Sequence, residues 1–180
     1  EHTHSEGKLS SANPNPDDTV KRDYINLFPS AGLTYALNAK NNFSLTYSRR
    51  IDRPNYQDLN PFENKLDELT YEKGNAFLRP QYTDALELTH TFMEYFTTAL
   101  SYSHTKDMFM QTTDTTEISR TYVTQKNFAA QDLMSLNISF PIPLKKWWMI
   151  FVNLSTNYTM LSANFEGRKL SNNYLTYSFY

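Results

Sequence analysis

The sequence predicts an all-β fold, an antiparallel up-and-down meander of about seven strands that forms part of a large transmembrane β-barrel. Three observations carry this. Apolar residues alternate with small or polar ones along successive segments, as in Leu33-Thr34-Tyr35-Ala36-Leu37 and Phe43-Ser44-Leu45-Thr46-Tyr47-Ser48. Short turns alternate with long connections, the wiring of a barrel with tight periplasmic links and long extracellular loops. The composition is aromatic yet wet: 13 Tyr and 12 Phe sit among Ser, Thr and Asn, with only 4 Gly and a mean hydropathy of −0.62. Strands with one oily and one wet face account for all three.

The remaining composition closes off other classes. A length of 180 residues suits one ordinary domain. There is no Cys, so neither a disulfide framework nor a thiolate metal site is available. A net charge of −2 suits neither a basic nucleic-acid binder nor an acidic solvating tail. No stretch approaches the roughly eighteen apolar residues of a membrane helix, so any membrane would be crossed by strands. The chain opens without an initiator Met or a signal peptide, and the expectation is an excised piece of a longer barrel.

Residues 1–23 are polar, include Asn13-Pro14-Asn15-Pro16-Asp17-Asp18, and read as a flexible lead-in or an extracellular loop. Residues 24–180 read as partial barrel. A first strand is expected over Tyr24–Leu37, with an edge, bulge or irregular end at Pro29, because proline lacks the ladder N–H. A tight turn at 38–42 leads to a second strand, Phe43–Asp52. Setting Leu37 against Phe43, Tyr35 against Leu45 and Leu33 against Tyr47 puts every large apolar residue on one face. Residues 54–84 form a long extracellular loop. A third strand is expected over Ala85–Met93 and a fourth over Thr97–Met108, with His90 opposite Leu100, Leu88 opposite Tyr102 and His104 facing Leu86. A Thr- and Asp-rich loop follows at 111–116. The fifth strand starts near Ile118 and ends in Met134, Leu136, Ile138 and Phe140 alternating with Ser135, Asn137 and Ser139. The turn 141–146 precedes a sixth strand from Trp148, and a loop around 162–172 precedes a seventh from Leu175. Seven strands fall about one short of the smallest comfortable barrel, and an open sheet bares two edges. More strands must complete it.

Few residues suggest catalysis. His2 and His4 lie in the lead-in, while His90 and His104 are offset on adjacent strands with no third metal ligand in view. Glu63, Asp67, Glu68 and Glu72 crowd one loop as solvated carboxylates, without the spacing of a glycosidase pair. No phosphate-binding Gly loop, nucleophile elbow or kinase element occurs. An enzyme is not expected, nor a cofactor or a metal. Trp147 and Trp148 directly follow Lys145 and Lys146, where an interfacial aromatic girdle belongs; in a soluble β-sandwich they would be core. Arg49, Arg50, Arg53 and Arg79 would gather at the outer rim near Asp52, Glu72 and Asp84. They read as a contact for lipid phosphates or an anionic ligand, or as a network (Arg49, Arg50, Asp52, Arg53, Arg79) that anchors the long loop. The anchoring role is the expected one.

The stretch from Leu45 to Leu88 carries a resemblance. Thr46-Tyr47-Ser48-Arg49-Arg50-Ile51-Asp52-Arg53-Pro54, Asp58-Leu59-Asn60-Pro61-Phe62, Glu72-Lys73-Gly74-Asn75 and Leu78-Arg79-Pro80-Gln81-Tyr82 resemble TonB-dependent outer-membrane receptors. More narrowly, they resemble the outer-membrane β-barrel domain common in glycan- and metal-scavenging Gram-negative bacteria. Pro143-Leu144-Lys145-Lys146-Trp147-Trp148 resembles a periplasmic turn of that family. Ala76 departs from it, standing where the family usually has Pro after Gly-Asn. The resemblance covers nearly the whole chain from Asp23 and implies a third of a barrel of about twenty-two strands in the outer membrane. It implies uptake of a scarce nutrient such as a siderophore, a metal complex or a glycan. Its implied partners are outer-membrane lipid, a plug domain and the TonB system acting through other parts of the parent protein, and a small-molecule or glycan ligand. Nucleic acid is not among them, and the isolated fragment would self-associate.

So long a loop is expected to fold as a cap, stiffened by Pro54, Pro61 and Pro80 around a small core of Leu59, Phe62, Leu66, Leu69, Phe77 and Leu78. Tyr56, Tyr71, Asn75 and Tyr82 would then face the ligand. The rival readings are a plug-less, porin-like barrel and a soluble all-β binding or adhesion module. The soluble module would fold without detergent and pack its apolar face on a second sheet.

Overall fold

The computed structural model describes residues 2–8, 19–117, 120–165 and 167–180. In chain order the elements are β1 (His2–Lys8), β2 (Thr19–Ile25), β3 (Ser30–Asn38), β4 (Asn41–Asp52), α1 (Tyr56–Leu59), β5 (Glu63–Lys65) and β6 (Thr70–Lys73). They continue with β7 (Gln81–Phe92), β8 (Phe96–Glu117), β9 (Arg120–Lys145), β10 (Trp148–Phe165) and β11 (Arg168–Phe179). β1 and β2 pair with each other. The others form one nine-stranded sheet, with seven in a meander ordered β11-β10-β9-β8-β7-β4-β3 and with β5 and β6 off that path. The meander of seven is the one the alternation predicts. By internal packing the chain forms two compact units: residues 1–28, 52–81 and 107–128 make the first, and 29–51, 82–106 and 129–180 the second.

In the second unit the ladders place like on like. Leu33 pairs with Leu45 and Tyr35 with Phe43, Leu88 with Leu100 and Leu86 with Tyr102, and Ile138 with Leu154. The two expected hairpin registers are each corrected by two residues. At the first, Asn38 pairs with Asn41 around Ala39-Lys40, with a bulge between Ala36 and Asn38. Asn38 Oδ1 accepts from Lys40 N at 2.9 Å and from Asn41 N and Asn41 Nδ2 at 3.0 Å each, closing a tighter turn than alternation alone suggests. At the second, Phe92 pairs with Phe96 and His104 faces Asp84, across a turn where Met93 and Glu94 take φ of 52° and 67°. A slip of two leaves every side chain on its face. Leu45, Leu86, Leu88, Leu100 and Met134 lie exposed, Leu100 by 54%. A soluble sandwich would bury such a face against a second sheet; a lipid-facing wall leaves it bare.

The β10–β11 hairpin turns at one end of this unit, while three short turns, after β3, β7 and β9, gather at the other. Met93 N donates to Lys40 O at 2.7 Å, and an apolar hollow there is lined by Phe92, Met93, Tyr95, Pro141, Pro143 and Met149. The expected turn at 141–146 is shorter than predicted, because β9 continues to Lys145 and only Lys146-Trp147 turn. Phe96, the first residue of β8, stacks on Phe140 at 5.6 Å. Pro141 and Pro143 therefore stand past the end of β8, where one side of the strand needs no N–H donors. The expected loop at 162–172 is a tight hairpin in which Phe165 pairs with Arg168, and Gly167 takes the positive φ of 79° its turn requires.

Pro29 sits in the break between β2 and β3, so the expected single strand Tyr24–Leu37 is two. In the first unit, β1 and β2 pair from His2↔Ile25 to Lys8↔Thr19. The described part of 1–23 pairs as a hairpin with the start of the following segment, while the Asn-Pro stretch at 13–16 lies outside the described residues. β8 runs through 111–116 without the expected loop, and the expected strand start at Ile118 also lies outside the described residues. One physical reason covers these differences: a backbone ladder needs no apolar side chains, so polar runs do not by themselves end strands. The long loop is shorter by four residues at its far end, since β7 begins at Gln81. It is folded, but not around the expected apolar core. Leu78 alone of the six is fully buried, whereas Phe62, Leu66, Leu69 and Phe77 are exposed, Phe77 by 72%.

Candidate functional site

Polar bonds hold the cap of the first unit together, and Asp58 is their hub. Asn55 and Asp58 form a reciprocal capping box on α1: Asn55 Oδ1 accepts from Asp58 N at 2.8 Å and Asp58 Oδ2 from Asn55 N at 3.2 Å. Asp58 Oδ1 accepts from Gln125 Nε2 at 2.7 Å, and the Asp58 carbonyl from Asn75 N at 2.6 Å. Asn75 Nδ2 donates to the Gln125 carbonyl at 3.0 Å while its Oδ1 accepts from Phe77 N at 2.9 Å. Between these bonds lies Gly74. A Cβ there would meet Asn60 O at 2.3 Å and Asp58 O and Gln57 O at 2.7 Å, so only glycine lets β6 approach the end of α1 this closely.

β6 also lies parallel to β9, with Tyr71 opposite Tyr122 and Glu72 opposite Val123. The two Tyr rings tilt together with centroids 5.9 Å apart. The Arg120 guanidinium sits 5.1 Å above Tyr71 and Lys73 Nζ 5.8 Å above Tyr122, both within cation–π range. Glu63 pairs with Lys73 at 3.7 Å and with Arg120 at 4.0 Å. At the 67–70 turn, Asp67 Oδ1 accepts from Leu69 N at 2.9 Å and Thr70 N at 2.7 Å. The Leu69 bond first, then the Thr70 hydroxyl and N–H, hold this carboxyl below its ordinary range.

Two hollows open in the cap. One, of about 400 Å³, is lined by Gln57, Asp58, Asn64, Glu72, Gln111 and Gln125 among others. The second, of about 470 Å³, is walled by Pro61, Phe77, Asp114, Tyr122 and Lys126. Both include Lys73, Gly74 and Thr124 in their linings.

The four residues expected to face a ligand are placed differently from one another. Tyr56 is 81% exposed on α1. Tyr71 is half-buried in the ring cluster, and the Asn75 side chain is occupied in holding the cap. Tyr82 belongs to the second unit, where the Arg49 guanidinium covers its ring at 5.4 Å. The expected anchoring network resolves into separate contacts. In the second unit, Arg49 lies 3.9 Å from Asp84, which accepts from Tyr47 OH at 2.7 Å, and Arg50 is exposed. In the first, Arg79 pairs with Asp107 at 2.7 Å, Asp52 accepts from Gln81 Nε2 at 2.9 Å, and Arg53 is exposed. Trp147 and Trp148 stack with centroids 6.2 Å apart under Lys145 Nζ, at the three-turn end of the second unit, and Trp147 is 78% exposed.

Sequence reasoning missed Gln125 and Asn127. Asn127 Oδ1 accepts from Arg79 N at 2.8 Å, and its Nδ2 donates to the carbonyls of Arg79 at 2.9 Å and Asp107 at 2.6 Å. Asp107 itself takes a φ of 53°. Both amides sit in the plain polar run Thr124-Gln125-Lys126-Asn127, which carries no local signal. In the second unit, Asp132 Oδ1 accepts from Tyr102 OH at 2.6 Å and from His104 Nδ1 at 2.7 Å, and His90 stacks on Phe43 at 4.5 Å.

Comparison with known proteins agrees with this architecture. The crystal structure of the siderophore receptor PirA from Pseudomonas aeruginosa superposes with a TM-score of 0.62 at 17% identity, over 86% of this chain and 34% of the receptor. The chain thus spans about a third of that receptor's length, and at this identity the likeness is one of fold. No curated protein matches the chain at a significant level. The sequence profile of the outer membrane protein beta-barrel family, by contrast, matches residues 1–180 from end to end. With its bare apolar face and its full-length match, the chain belongs to the outer membrane protein beta-barrel family and resides in the outer membrane.

Proposed function

We propose that this chain is part of the wall and cap of a TonB-dependent receptor that imports a scarce nutrient across the outer membrane. One observation carries the reading: the connection between β4 and β7 is a folded cap, tied by the Asp58–Gln125 and Asn75–Gln125 bonds and hollowed by two cavities. A diffusion pore gains nothing from such a structure. A receptor needs it, because ligand-binding groups must be held in place before the ligand arrives. Energy from the TonB system and a plug elsewhere in the parent protein would complete the cycle, and the cap side would face the cell exterior.

The test is growth and uptake by cells whose parent receptor lacks residues 56–79. Barrel insertion should persist while nutrient uptake is lost, and uptake by the intact receptor should stop when the proton-motive force is collapsed. Uptake that survives collapse of the proton-motive force would favour the porin-like barrel and end the energised reading.

A further inference from the structure

We propose that the amide-lined hollow of the cap binds a neutral, hydroxyl-rich ligand, an oligosaccharide, and not an anionic metal complex; this rests on the receptor reading above and narrows it.

The argument begins with charge. The hollow's lining holds two carboxylates, Asp58 and Glu72, against one ammonium, Lys73. That ammonium is already engaged by Glu63 and by the Tyr122 ring. A ferric tris-catecholate complex or a phosphate brings negative charge and would meet a net repulsive wall.

The neutral groups point the other way. The side-chain amides of Gln57, Asn64 and Gln111 make no hydrogen bond among the described residues. Each offers a donor and an acceptor, the pairing that vicinal sugar hydroxyls complement, since every hydroxyl both donates and accepts. The wall behind them is fixed: Gln125 is clamped on Asp58, Asp58 on the α1 capping box, and Gly74 against three carbonyls. What a ligand must order on entering is the three exposed amide side chains, not the wall behind them.

An independent feature supports the same class. The adjoining hollow shares Lys73, Gly74 and Thr124 with the first and presents Tyr122 and Phe77. A sugar ring has polar edges and apolar C–H faces, so a polar hollow beside an aromatic wall suits successive residues of one chain. Volumes of about 400 and 470 Å³ lie in the range of small-ligand sites.

The test uses the full-length receptor in detergent micelles, applied to an array of neutral oligosaccharides and, separately, titrated with a ferric tris-catecholate complex and with neutral tripeptides. Expected is retention of neutral oligosaccharide, insensitive to salt because no charge is matched. Asn64→Ala with Gln111→Ala should weaken it about tenfold or more, the loss of a pair of ligand hydrogen bonds. Should that double variant misfold, Gln111→Glu keeps the shape, adds charge and should also weaken binding. Failure of every neutral oligosaccharide to bind, equal binding by folded variants, or competition by the ferric complex or the tripeptides at the same residues would overturn the inference. If oligosaccharide binding is absent while energised uptake persists, only this inference falls. If binding is present while uptake ignores the proton-motive force, only the transport reading falls.

Discussion

Gly74→Ala probes the closest packing in the cap, and its cost can be worked from the geometry. A Cβ at this position lies 2.3 Å from Asn60 O and 2.7 Å from Asp58 O and Gln57 O, inside the 3.0 Å that Cβ atoms essentially never undercut. All three obstacles are backbone, so no rotamer change relieves them. Gly74 is not in the left-handed region, and the penalty is purely steric. Overpacking of a tight site costs about 1–3 kcal/mol, and three simultaneous backbone contacts place this case near about 3 kcal/mol. Separating β6 from α1 also stretches the 2.6 Å bond from Asn75 N to the Asp58 carbonyl, worth about 1 kcal/mol more. Local opening of the cap should therefore rise by two to three powers of ten, at about 1.4 kcal/mol for each. Hydrogen exchange of peptides from 56–79 in the membrane-inserted barrel measures this directly, with peptides from 129–164 as an internal reference. Unchanged protection of the Asn75 amide in a folded Gly74→Ala protein would show that β6 does not pack on α1 in this way.

Other perturbations follow from the same bonds. Asn127→Ala removes one acceptor and two donors that tie Arg79 to Asp107, and should destabilise the cap by about 2 kcal/mol, read as faster exchange across 107–128; no change would mean water replaces all three bonds. Because the Asp67 carboxyl is held below its ordinary range in the fold, its contribution is complete above the unfolded carboxylate value and is lost as pH falls through the lowered folded value. Amide signals of Leu69 and Thr70 should therefore shift only below the ordinary carboxylate range, and a midpoint at or above that range would contradict the turn. A nitroxide on Trp147→Cys in the bilayer-reconstituted barrel should report headgroup depth, whereas full exposure to bulk water would remove the aromatic pair from the interface. The 180-residue chain on its own should self-associate in detergent-free buffer, driven by its bare apolar face, and a monodisperse monomer in light scattering would count against a lipid-facing wall.

The sequence was legible where one face of a strand must be oily. Leu86, Leu88, Leu100 and Met134 announce the wall because lipid on one side and polar groups on the other enforce a period of two. Legibility fails where a polar run carries no alternation. At 111–116, 162–172 and in β1 and β2, polar residues continue strands that composition reads as loops, since the backbone ladder alone sustains pairing. The cap was legible as a folded object from its length and prolines, and Gly74-Asn75 only as part of the motif that carries the family resemblance. Its cement was not. Phe62, Leu66, Leu69 and Phe77 promised an apolar core, yet the bonds run through Asp58, Gln125 and Asn127. Those partners lie tens of residues apart in sequence, and a single amide in a polar strand gives no hint of what it will reach.

The hairpins at 38–41 and 92–96 have a consequence for assembly. A slide by one residue is forbidden in a lipid-facing sheet because it turns every Leu toward water, but a slide by two costs no such exposure. Sidedness alone thus leaves a ladder of near-equivalent alignments, each a plausible dead end for a chain being inserted strand by strand. What separates them is the turn: three bonds to Asn38 Oδ1 and the pair of left-handed residues Met93 and Glu94 act as length gauges. Asn38 then guards the fidelity of assembly more than the stability of the finished wall, and its loss would surface as misaligned, protease-sensitive barrels made alongside correct ones of ordinary durability.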